Sequence, residues 1–371
     1  MTAEELSIRL EEFGWDAFFD DEFRKAGIPD TVPARVISQH KDLCMVQCEH
    51  GELAATISGR LRYRADTGLA YPVVGDWVAI SPQLNERKAV IRAVLPRKSS
   101  FSRQASGGRQ RLSGGPAQEQ VVAANIDTVF LVSGLDGGRS LNLRRVERYL
   151  TLAWNSGASP VIVLNKADLC PDIESVIKDA EGIASGVPVH AASATEKLGL
   201  DELRKYITGG STAALLGQSG VGKSAIINAL LGEERLQVGA VRESDRQGRH
   251  TTTGRELILL PDGGAVIDTP GMREIQVRGD EEGLKDTFDD IEQLAGQCRF
   301  SDCRHDNEPG CAVRAAIEGG TLDPARFQSY RRLQRELRHQ AAREQYSANQ
   351  EEKLRWKKIA KWAKQINKQK G

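Results

Sequence analysis

The sequence predicts a multidomain α/β protein, and three observations lead to this fold class. At 371 residues the chain is too long for one ordinary hydrophobic core, so two or three domains are expected. Short segments of alternating polar and apolar residues fill residues 30–96, whereas strand-like Val/Ile/Leu runs alternate with helical patterns from Val121 onward. A third pattern begins at Cys298, where cysteine and histidine residues are closely spaced in a polar stretch. Each pattern favours a separate structural unit.

The charge of the chain is separated by region, although its formal net charge is zero. Residues 1–30 carry three basic and nine acidic side chains, and residues 323–371 carry fourteen basic and five acidic ones. This basic C-terminal region favours binding of a polyanion. No apolar run is long enough for a membrane span, and the acidic N-terminus lacks the features of a signal peptide. We therefore expect a cytoplasmic protein with reduced thiols and no membrane partner.

Three units are expected before the α/β domain. Residues 1–29 are an acidic N-terminal arm, with an amphipathic helix and an aromatic cluster over residues 3–26. Five short strands in residues 30–96 indicate a small β-barrel of the OB-like kind, and the Gly/Ser/Arg-rich residues 97–118 predict a basic linker. One cluster interleaves basic and aromatic side chains, which suits a nucleic-acid-binding strand and a solvated edge strand about equally: Arg60, Arg62, Tyr63 and Arg64.

The stretch that organises the chain is LLGQSGVGKS, residues 215–224, which reads as a buried strand entering a glycine-rich loop and a helix. It matches the pattern G-x-x-x-x-G-K-[ST], in which backbone N–H groups surround phosphate oxygens, the lysine reaches the β/γ-phosphates and the hydroxyl binds Mg²⁺. The positive end of the following helix points at the same oxygens. The residues predicted to form this phosphate cradle are Gly217, Gln218, Ser219, Gly220, Val221, Gly222, Lys223, Ser224 and Ala225.

Two further motifs indicate which base is bound. Asn165-Lys166-Ala167-Asp168 follows a predicted strand, and the Asp168 carboxylate can accept both the N1–H and the exocyclic amine of guanine. Adenine does not offer this pair of donors, so the motif selects GTP. Ser193-Ala194 follows the next strand and is placed for a backbone N–H to meet guanine O6.

The metal and the γ-phosphate are expected to meet a later motif. Asp268-Thr269-Pro270-Gly271 follows another predicted strand, so Asp268 can hold Mg²⁺ through water and the Gly271 N–H can sense the γ-phosphate. Between this motif and the cradle, the polar residues 243–253 read as a switch loop. One threonine of Thr251–Thr253, assigned here as Thr252, is expected to bind Mg²⁺ together with Ser224.

The order of these motifs is unusual. In ordinary GTPases the phosphate cradle comes first and the guanine-reading motif late, whereas here residues 165–168 and 193–194 precede the cradle. The sequence therefore predicts a circularly permuted P-loop GTPase domain over residues 119–276. Sheet packing tolerates such a permutation when the original termini lie close together.

The C-terminal region, residues 277–371, contains a cysteine and histidine pattern with metal-ligand spacing. Three thiols and one imidazole lie within fourteen residues of a polar segment, which suits a closed tetrahedral zinc site of structural character. Two helices are expected to follow, over residues 323–346 and 349–370, the second rich in lysine and suited to phosphate backbones. The predicted zinc ligands are Cys298, Cys303, His305 and Cys311.

Together, the barrel, the permuted motifs GQSGVGKS, NKAD, RHTTT and DTPG, and the C-x4-C-x-H-x5-C knuckle resemble the bacterial ribosome small-subunit-dependent GTPase family (RsgA, also called YjeQ). The resemblance covers residues 30 to about 340. It implies a late assembly factor that binds the small (30S) ribosomal subunit through its 16S rRNA, is stimulated by that subunit and leaves on GTP hydrolysis. Met272 follows DTPG where many GTPases have glutamine, and the resemblance implies His250 as the substitute that orients water. Gly220 replaces the asparagine of potassium-activated GTPases, so potassium stimulation is not expected.

The predicted activity is Mg²⁺-dependent GTP hydrolysis that is slow without a partner. Lys223 and the cradle backbone stabilise charge on the transferring phosphoryl group, Asp268 supports the metal, and His250 orients water. The rival hypothesis is a nucleotide-gated RNA-binding module or chaperone in which hydrolysis is not required. A generic ATPase is disfavoured by Asp168. We expect GTP and GDP as ligands and a monomeric protein.

Overall fold

The computed structural model describes residues 9–40, 43–64, 71–104, 119–136, 141–236, 255–268 and 282–342. An N-terminal β-barrel, a mainly parallel sheet with helices on its faces and a helical C-terminal segment follow one another along the chain. This order confirms the predicted multidomain α/β fold class. In the part of the chain that is described, no helix has the length and apolar character needed to cross a membrane.

The barrel has five strands: β1 Val32–His40, β2 Leu43–Cys48, β3 Gly51–Ile57, β4 Trp77–Gln83 and β5 Lys88–Val94. Strands β1, β2 and β3 form an antiparallel meander, β3 pairs with β5 in parallel, and β4 closes the barrel by pairing with both β5 and β1. Small and β-branched side chains such as Ala34, Val46 and Ile91 fill its interior. This closure confirms the OB-like barrel.

The basic and aromatic cluster of the barrel does not lie on a strand. Strand β3 ends at Ile57, and a short helix, α2 (Gly59–Arg64), follows it. The expectation of a strand-bound face or edge strand at residues 60–64 is therefore wrong. The helix leaves Tyr63 86% exposed, so the residue offers its ring to solvent rather than to the barrel core.

The N-terminal arm has two short elements instead of one helix. A 3₁₀ turn spans Leu10–Phe13, and helix α1 (Ala17–Ala26) begins where the Asp16 side chain accepts hydrogen bonds from the N–H groups of Phe18 and Phe19. The reason for the break is Gly14, whose φ of 88° ends the 3₁₀ turn. Phe19 is buried and packs close to Trp77 of the barrel. The arm is thus partly packed on the body.

Part of the stretch predicted as a linker is ordered as a strand. Strand β6 (Ser100–Gln104) pairs with β7 (Glu119–Ala124) in an antiparallel ribbon. Phe101 anchors β6 because its side chain is only 2% exposed. The rest of the predicted linker, residues 105–118, lies outside the described part.

The central sheet has six strands: β8 Thr128–Gly134, β9 Ser159–Asn165, β10 Val189–Ala192, β11 Thr212–Leu216, β12 Arg255–Leu259 and β13 Ala265–Asp268. Their order is β10-β9-β8-β11-β13-β12, and all are parallel except β12, which runs antiparallel to β13. The carboxyl ends of the parallel strands therefore share one edge, the usual position of a ligand site in such sheets.

Helices cover both faces of this sheet: α3 Leu143–Ser156, α4 Ile173–Ile183, α5 Leu200–Arg204 and α6 Lys223–Leu231. Side chains along β8 alternate between the two cores, since Val129 and Leu131 pack with α3 and α4 whereas Phe130 and Val132 pack with α5 and α6. This burial on two sides explains the continuous apolar runs of the sequence.

The barrel is joined to the central sheet by direct strand pairing. Strand β1 pairs with β12, and the register places Ser38 opposite Glu256 and Gln39 opposite Arg255. Because β12 pairs with β13 on its other side, the two sheets form one continuous hydrogen-bonded system.

The C-terminal segment consists of α7 Glu282–Thr287, α8 Asp289–Ala295, α9 Ala312–Glu318 and α10, which spans residues 324–342. Helix α10 begins after Asp323, whose side chain accepts a hydrogen bond from the Ala325 N–H at 2.8 Å. Helix α7 packs on α3, where Thr151 Oγ1 and Thr287 Oγ1 are 3.1 Å apart. A helix is therefore present where residues 323–346 predict one, and residues 349–370 are not described.

Candidate functional site

The glycine-rich loop lies between β11 and α6, as its sequence predicts. Gly222 precedes the first residue of α6 and has φ 97°, a left-handed conformation that suits glycine. Two loop positions also exclude a side chain by space, because a Cβ on Gly217 would lie 2.4 Å from Val132 O and one on Gly222 would lie 2.1 Å from Asn165 Nδ2. Glycine is thus required for the loop to pass its neighbours.

The lysine of the cradle is oriented by the loop itself. Lys223 Nζ donates to Gly217 O at 2.8 Å and to Gln218 O at 2.6 Å. An ammonium has three rotatable donors, and bonds from two of them to backbone carbonyls restrict the direction of the side chain. Ser224 and Ala225 follow in the first turn of α6, where both are partly buried.

Asn165 brings three of the predicted motifs together. Its Nδ2 donates to Val221 O of the cradle at 2.8 Å, and its Oδ1 accepts from the Ala194 N–H at 3.2 Å. The side chain is 1% exposed, so these bonds are shielded from water. One buried amide therefore fixes the positions of the NKAD, SA and GQSGVGKS segments relative to one another.

The other residues of NKAD lie at the surface beside this contact. Lys166 has φ 62° and its Nζ lies 2.8 Å from Asp136 Oδ2. The reversal at Lys166 leads into a 3₁₀ turn, Ala167–Leu169, in which Asp168 is exposed. A carboxylate in this position is open to a planar base. Asp136 was not predictable from the sequence, because a single aspartate after a strand carries no recognisable spacing.

Both N–H groups of the Ser193-Ala194 segment are already hydrogen-bonded within the protein. The Ser193 N–H donates to Leu198 O at 3.0 Å, and its hydroxyl accepts from the Glu196 N–H at 3.1 Å. The Ala194 N–H already donates to Asn165. A bond from this segment to guanine O6 therefore stays a prediction that requires an exchange of partners.

Only one of the metal and γ-phosphate residues after the cradle lies within the described part. Asp268 ends β13 and is half-buried, next to β11, which leads into the cradle. The predictions for His250, Thr252 and Gly271 fall outside the described residues.

Two further residues approach the cradle from helix α3. Arg145 Nη1 donates to Gln218 Oε1 at 2.6 Å, and Tyr149 lies one turn later along the same side. Together with Asn142 they line a pocket of about 110 Å³ beside Ser219 and Gly220. In the sequence Arg145 reads as an ordinary charged residue of an amphipathic helix, so no signal marked it.

Replacing Gly222 by alanine is expected to reduce both stability and nucleotide binding. The new Cβ is strained by the left-handed φ and collides with Asn165, so we expect a loss of about 2–4 kcal/mol in the free energy of unfolding. Urea unfolding and titration with fluorescent GDP measure the two effects.

Gly232 provides a matched control for this substitution. It ends the same helix with φ 78°, and a Cβ there would meet nothing within 4 Å. Gly232→Ala should therefore cost only about 1 kcal/mol of strain and leave GDP affinity unchanged. Equal losses of unfolding free energy and of GDP affinity in Gly222→Ala and Gly232→Ala would show that the collision with Asn165 does not contribute to either effect.

A second cluster lies in the C-terminal segment, in the turns between α8 and α9. The ligand atoms of its four members lie within 4.8 Å of one another: Cys298, Cys303, His305 and Cys311. Cys298 Sγ and Cys311 Sγ are 3.9 Å apart, and each lies 3.5–3.6 Å from His305 Nδ1. Sulfur ligands of a tetrahedral zinc ion, at 2.3 Å from the metal, are about 3.8 Å apart. The cluster thus has the size and donor set of a metal site.

The electrostatics of the cluster differ between its thiols. Partial burial raises the pKa of Cys298, but the N–H groups of Ala312 and Val313 outweigh this and the pKa lies below its ordinary value. Removal from water and the neighbouring thiols raise the pKa of Cys303 to about 11. Metal binding therefore has to displace a proton from Cys303, because only the thiolate is a good ligand.

The sheet order and the contacts around Asn165 define the class of protein. A mainly parallel sheet carries a phosphate cradle and a guanine-type motif at one edge, with the guanine motif earlier in the chain. This is the arrangement of a circularly permuted GTPase. Two solved structures share it: YjeQ from Thermotoga maritima (TM-score 0.61, 29% identity, 83% of this chain and 98% of that chain covered) and YloQ, a circularly permuted GTPase (TM-score 0.58, 23% identity, 84% and 96% covered).

Sequence comparison gives the family within this class. The profile of the RsgA GTPase family matches residues 94–278. A small ribosomal subunit biogenesis GTPase RsgA from Opitutus terrae is 46% identical over 361 residues, which cover 95% of this chain and 96% of the relative. The protein of the same name from Syntrophotalea carbinolica is 42% identical, with 98% and 99% covered. The chain belongs to the RsgA GTPase family, and the family resemblance stated from its motifs is confirmed.

Proposed function

We propose that this GTPase acts in biogenesis of the small ribosomal subunit and that the subunit stimulates its GTP hydrolysis. The observation that carries the proposal is the buried Asn165 side chain, which joins the base-reading and phosphate-binding segments into one nucleotide site. The names of full-length relatives, small ribosomal subunit biogenesis GTPase RsgA, support the partner. The proposed role ends with GTP hydrolysis and departure from the subunit.

In the proposed nucleotide site, this chain binds the phosphates with backbone N–H groups and one ammonium. The left-handed glycines of the cradle and the N-terminus of α6 present their N–H groups to phosphate oxygens. Lys223, oriented by two carbonyls, stabilises negative charge that moves toward the leaving oxygen. Donors that are fixed before the reaction cost no reorganisation when charge develops.

The family implies Mg²⁺ with GTP, and the described residues near the cradle fit that ion. Ser224 offers a hydroxyl in the first turn of α6, and Asp268 offers a carboxylate at the end of the neighbouring strand. Oxygen ligands of this kind are those that Mg²⁺ prefers, and the bound ion would neutralise charge between the β- and γ-phosphates. Thr252 is proposed as the second hydroxyl ligand.

Guanine selection is assigned to Asp168, with Lys166 and the SA segment at its sides. Lys166 is held by Asp136 against the surface, which leaves its aliphatic stem to cover one face of the base. His250 is proposed to orient the attacking water and Gly271 to contact the γ-phosphate. Met272 follows DTPG where many GTPases have a glutamine that orients water, so we expect slow turnover without a partner.

The Cys/His cluster is proposed to bind zinc as a structural ion. Its four ligands leave no open position for substrate, and they link α8 to α9 through a segment with little apolar core, in which Phe300 is 40% exposed. His305 packs edge-on against Phe327 of α10, at 6.1 Å between ring centres. The ion would thereby also fix the start of α10.

The proposed partner within the subunit is 16S rRNA. Helix α2 presents Arg60, Arg62 and the exposed Tyr63 on the barrel, and basic side chains together with an exposed ring suit contacts to phosphates and unstacked bases. The lysine-rich C-terminal residues add positive charge. We propose a cytoplasmic monomer for this role.

GTP turnover by the purified protein tests the proposal. Small ribosomal subunits are expected to raise kcat at least about tenfold, whereas large subunits and ATP should give no such increase. Lys223→Ala serves as the inactive control and excludes contaminating hydrolases. Equal turnover with small and large subunits would refute the proposed partner. Normal dissociation of a hydrolysis-deficient His250→Ala variant from the subunit would favour a nucleotide-gated binding module instead.

A further inference from the structure

Helix α3 carries two sets of polar side chains on different sides. Arg145 and Tyr149, one turn apart, line the pocket beside the phosphate cradle. Arg144, Glu147 and Arg148 lie around the helix from them and contact the C-terminal segment. Residues three and four apart share a helix side, which accounts for both sets. A single rigid element therefore touches the nucleotide site and the C-terminal helices.

The contacts to the C-terminal segment are specific and partly buried. Arg148 makes a two-bond pair with Glu336 of α10, at 2.7 and 2.6 Å. Arg326, only 7% exposed, donates to Glu147 Oε1 at 3.0 Å and to Asp290 at 2.7 and 2.8 Å. Buried pairs of this kind are costly to break because they leave a charge without its partner. These pairs hold α10 against α3.

The residue of the cradle that Arg145 contacts also binds Lys223. Arg145 binds the side chain of Gln218, and the carbonyl of the same residue accepts from Lys223 Nζ at 2.6 Å. Gln218 itself is exposed, and the bond from Arg145 restrains its side chain. The chain of contacts runs from α10 through α3 and Gln218 to Lys223.

We propose that Arg145 is a positioning residue for GTP hydrolysis: it fixes Gln218, and through Gln218 the direction of Lys223, according to how α10 holds helix α3. The inference rests on the proposed function in one respect, since a partner bound to the C-terminal segment would act on the cradle by this route. Because Arg145 acts on the orientation of a charge-stabilising group, its loss should affect kcat more than KM.

Basal GTP turnover of single variants tests the first link. Arg145→Ala is expected to lower kcat about fivefold and to change KM less than about twofold, while Arg145→Lys, which keeps a donor, should restore kcat to within about twofold. Gln218→Ala removes the same bond from the other side and should lower kcat by the same factor, so the test remains valid if Arg145→Ala does not fold. Arg204→Ala is the control, because Arg204 lies on α5 and pairs with Asp262 in the turn between β12 and β13.

A double-mutant cycle tests the link to α10. Glu336→Ala breaks the pair with Arg148 and should lower basal kcat about threefold in the wild-type background but have no further effect in Arg145→Ala. The same factor in both backgrounds, or a kcat of Arg145→Ala equal to that of Arg204→Ala, would overturn the inference. No subunit enters these measurements, so their failure is distinct from failure of the proposed function, which is judged by stimulation of the wild-type protein.

Discussion

The Asp168→Asn variant is expected to lose GTP affinity by about 10³-fold and to gain affinity for xanthosine triphosphate. In the proposed site the carboxylate accepts hydrogen bonds from two guanine donors, whereas an asparagine amide would accept one and oppose the other with its own N–H groups. Xanthine carries a carbonyl where guanine has its amine, so it restores one donor and one acceptor. Asp168 is exposed in a 3₁₀ turn, and its side chain forms no hydrogen bond to any other residue that the structure describes, so the substitution should leave the fold intact.

Titration with fluorescent analogues of GTP and xanthosine triphosphate measures the affinity of the variant for each nucleotide. The rate of hydrolysis of each triphosphate shows whether the change in affinity also changes the substrate. Asp172→Asn is a matched control on the same connection. Asp172 caps α4 by accepting from the Ser175 N–H at 3.2 Å, and asparagine caps a helix about as well as aspartate. Its GTP affinity should equal that of the wild type. An Asp168→Asn variant that still binds GTP within about threefold of wild type would remove Asp168 from the base-reading role.

Cys311→Ser is expected to abolish stoichiometric metal binding and to unfold the C-terminal segment. Cys311 is 6% exposed, it begins α9, and its sulfur accepts from the Arg314 N–H at 3.4 Å. Loss of this ligand opens a site whose binding free energy contributes directly to folding, typically about 10–16 kcal/mol for structural zinc. Purified wild-type protein should contain one zinc per chain, and the variant about none, by elemental analysis.

Cys170→Ser is the control for this experiment, since Cys170 lies after NKAD and outside the cluster. The Cys170→Ser variant should have the same metal content and the same midpoint of thermal unfolding as the wild-type protein. Proteolysis of Cys311→Ser should cut first between residues 296 and 322, while the central sheet stays resistant, because the sheet has its own cores. A variant with full metal content and an unchanged midpoint would show that the four side chains do not form a metal site.

The two main architectures were predictable because each has a strong periodic pattern. Alternating residues in five short strands gave the barrel, and continuous Val/Ile/Leu runs such as residues 161–164 gave strands buried on both faces. The cradle and the Cys/His cluster were predictable because their chemistry fixes both residue type and spacing. The structure agrees with these patterns in the barrel closure, the sheet order and the close approach of the three cysteines and one histidine predicted as ligands.

Features that depend on long-range contacts were not predictable. Residues 59–64 form a helix that begins after Ser58, whose hydroxyl accepts a hydrogen bond from the Leu61 N–H at 3.3 Å, a local capping signal that the alternating pattern of the barrel concealed. Arg145 and Asp136 reach the site only through the packing of α3 and β8, and the break at Gly14 places Phe19 on the barrel. The prediction for Ser193-Ala194 did not include the hydrogen bond that the Ala194 N–H donates to Asn165 Oδ1.

The pairing of β1 with β12 has a consequence for dissecting this protein into fragments. A nucleotide-binding fragment that begins after the barrel would leave the backbone of Arg255 and Glu256 without its partner strand, on the outermost strand of the sheet. Such an open edge pairs readily with another copy of itself and promotes aggregation. Expression of the nucleotide-binding region alone therefore calls for a charged or proline substitution on β12, whereas the intact chain protects this edge with its own barrel.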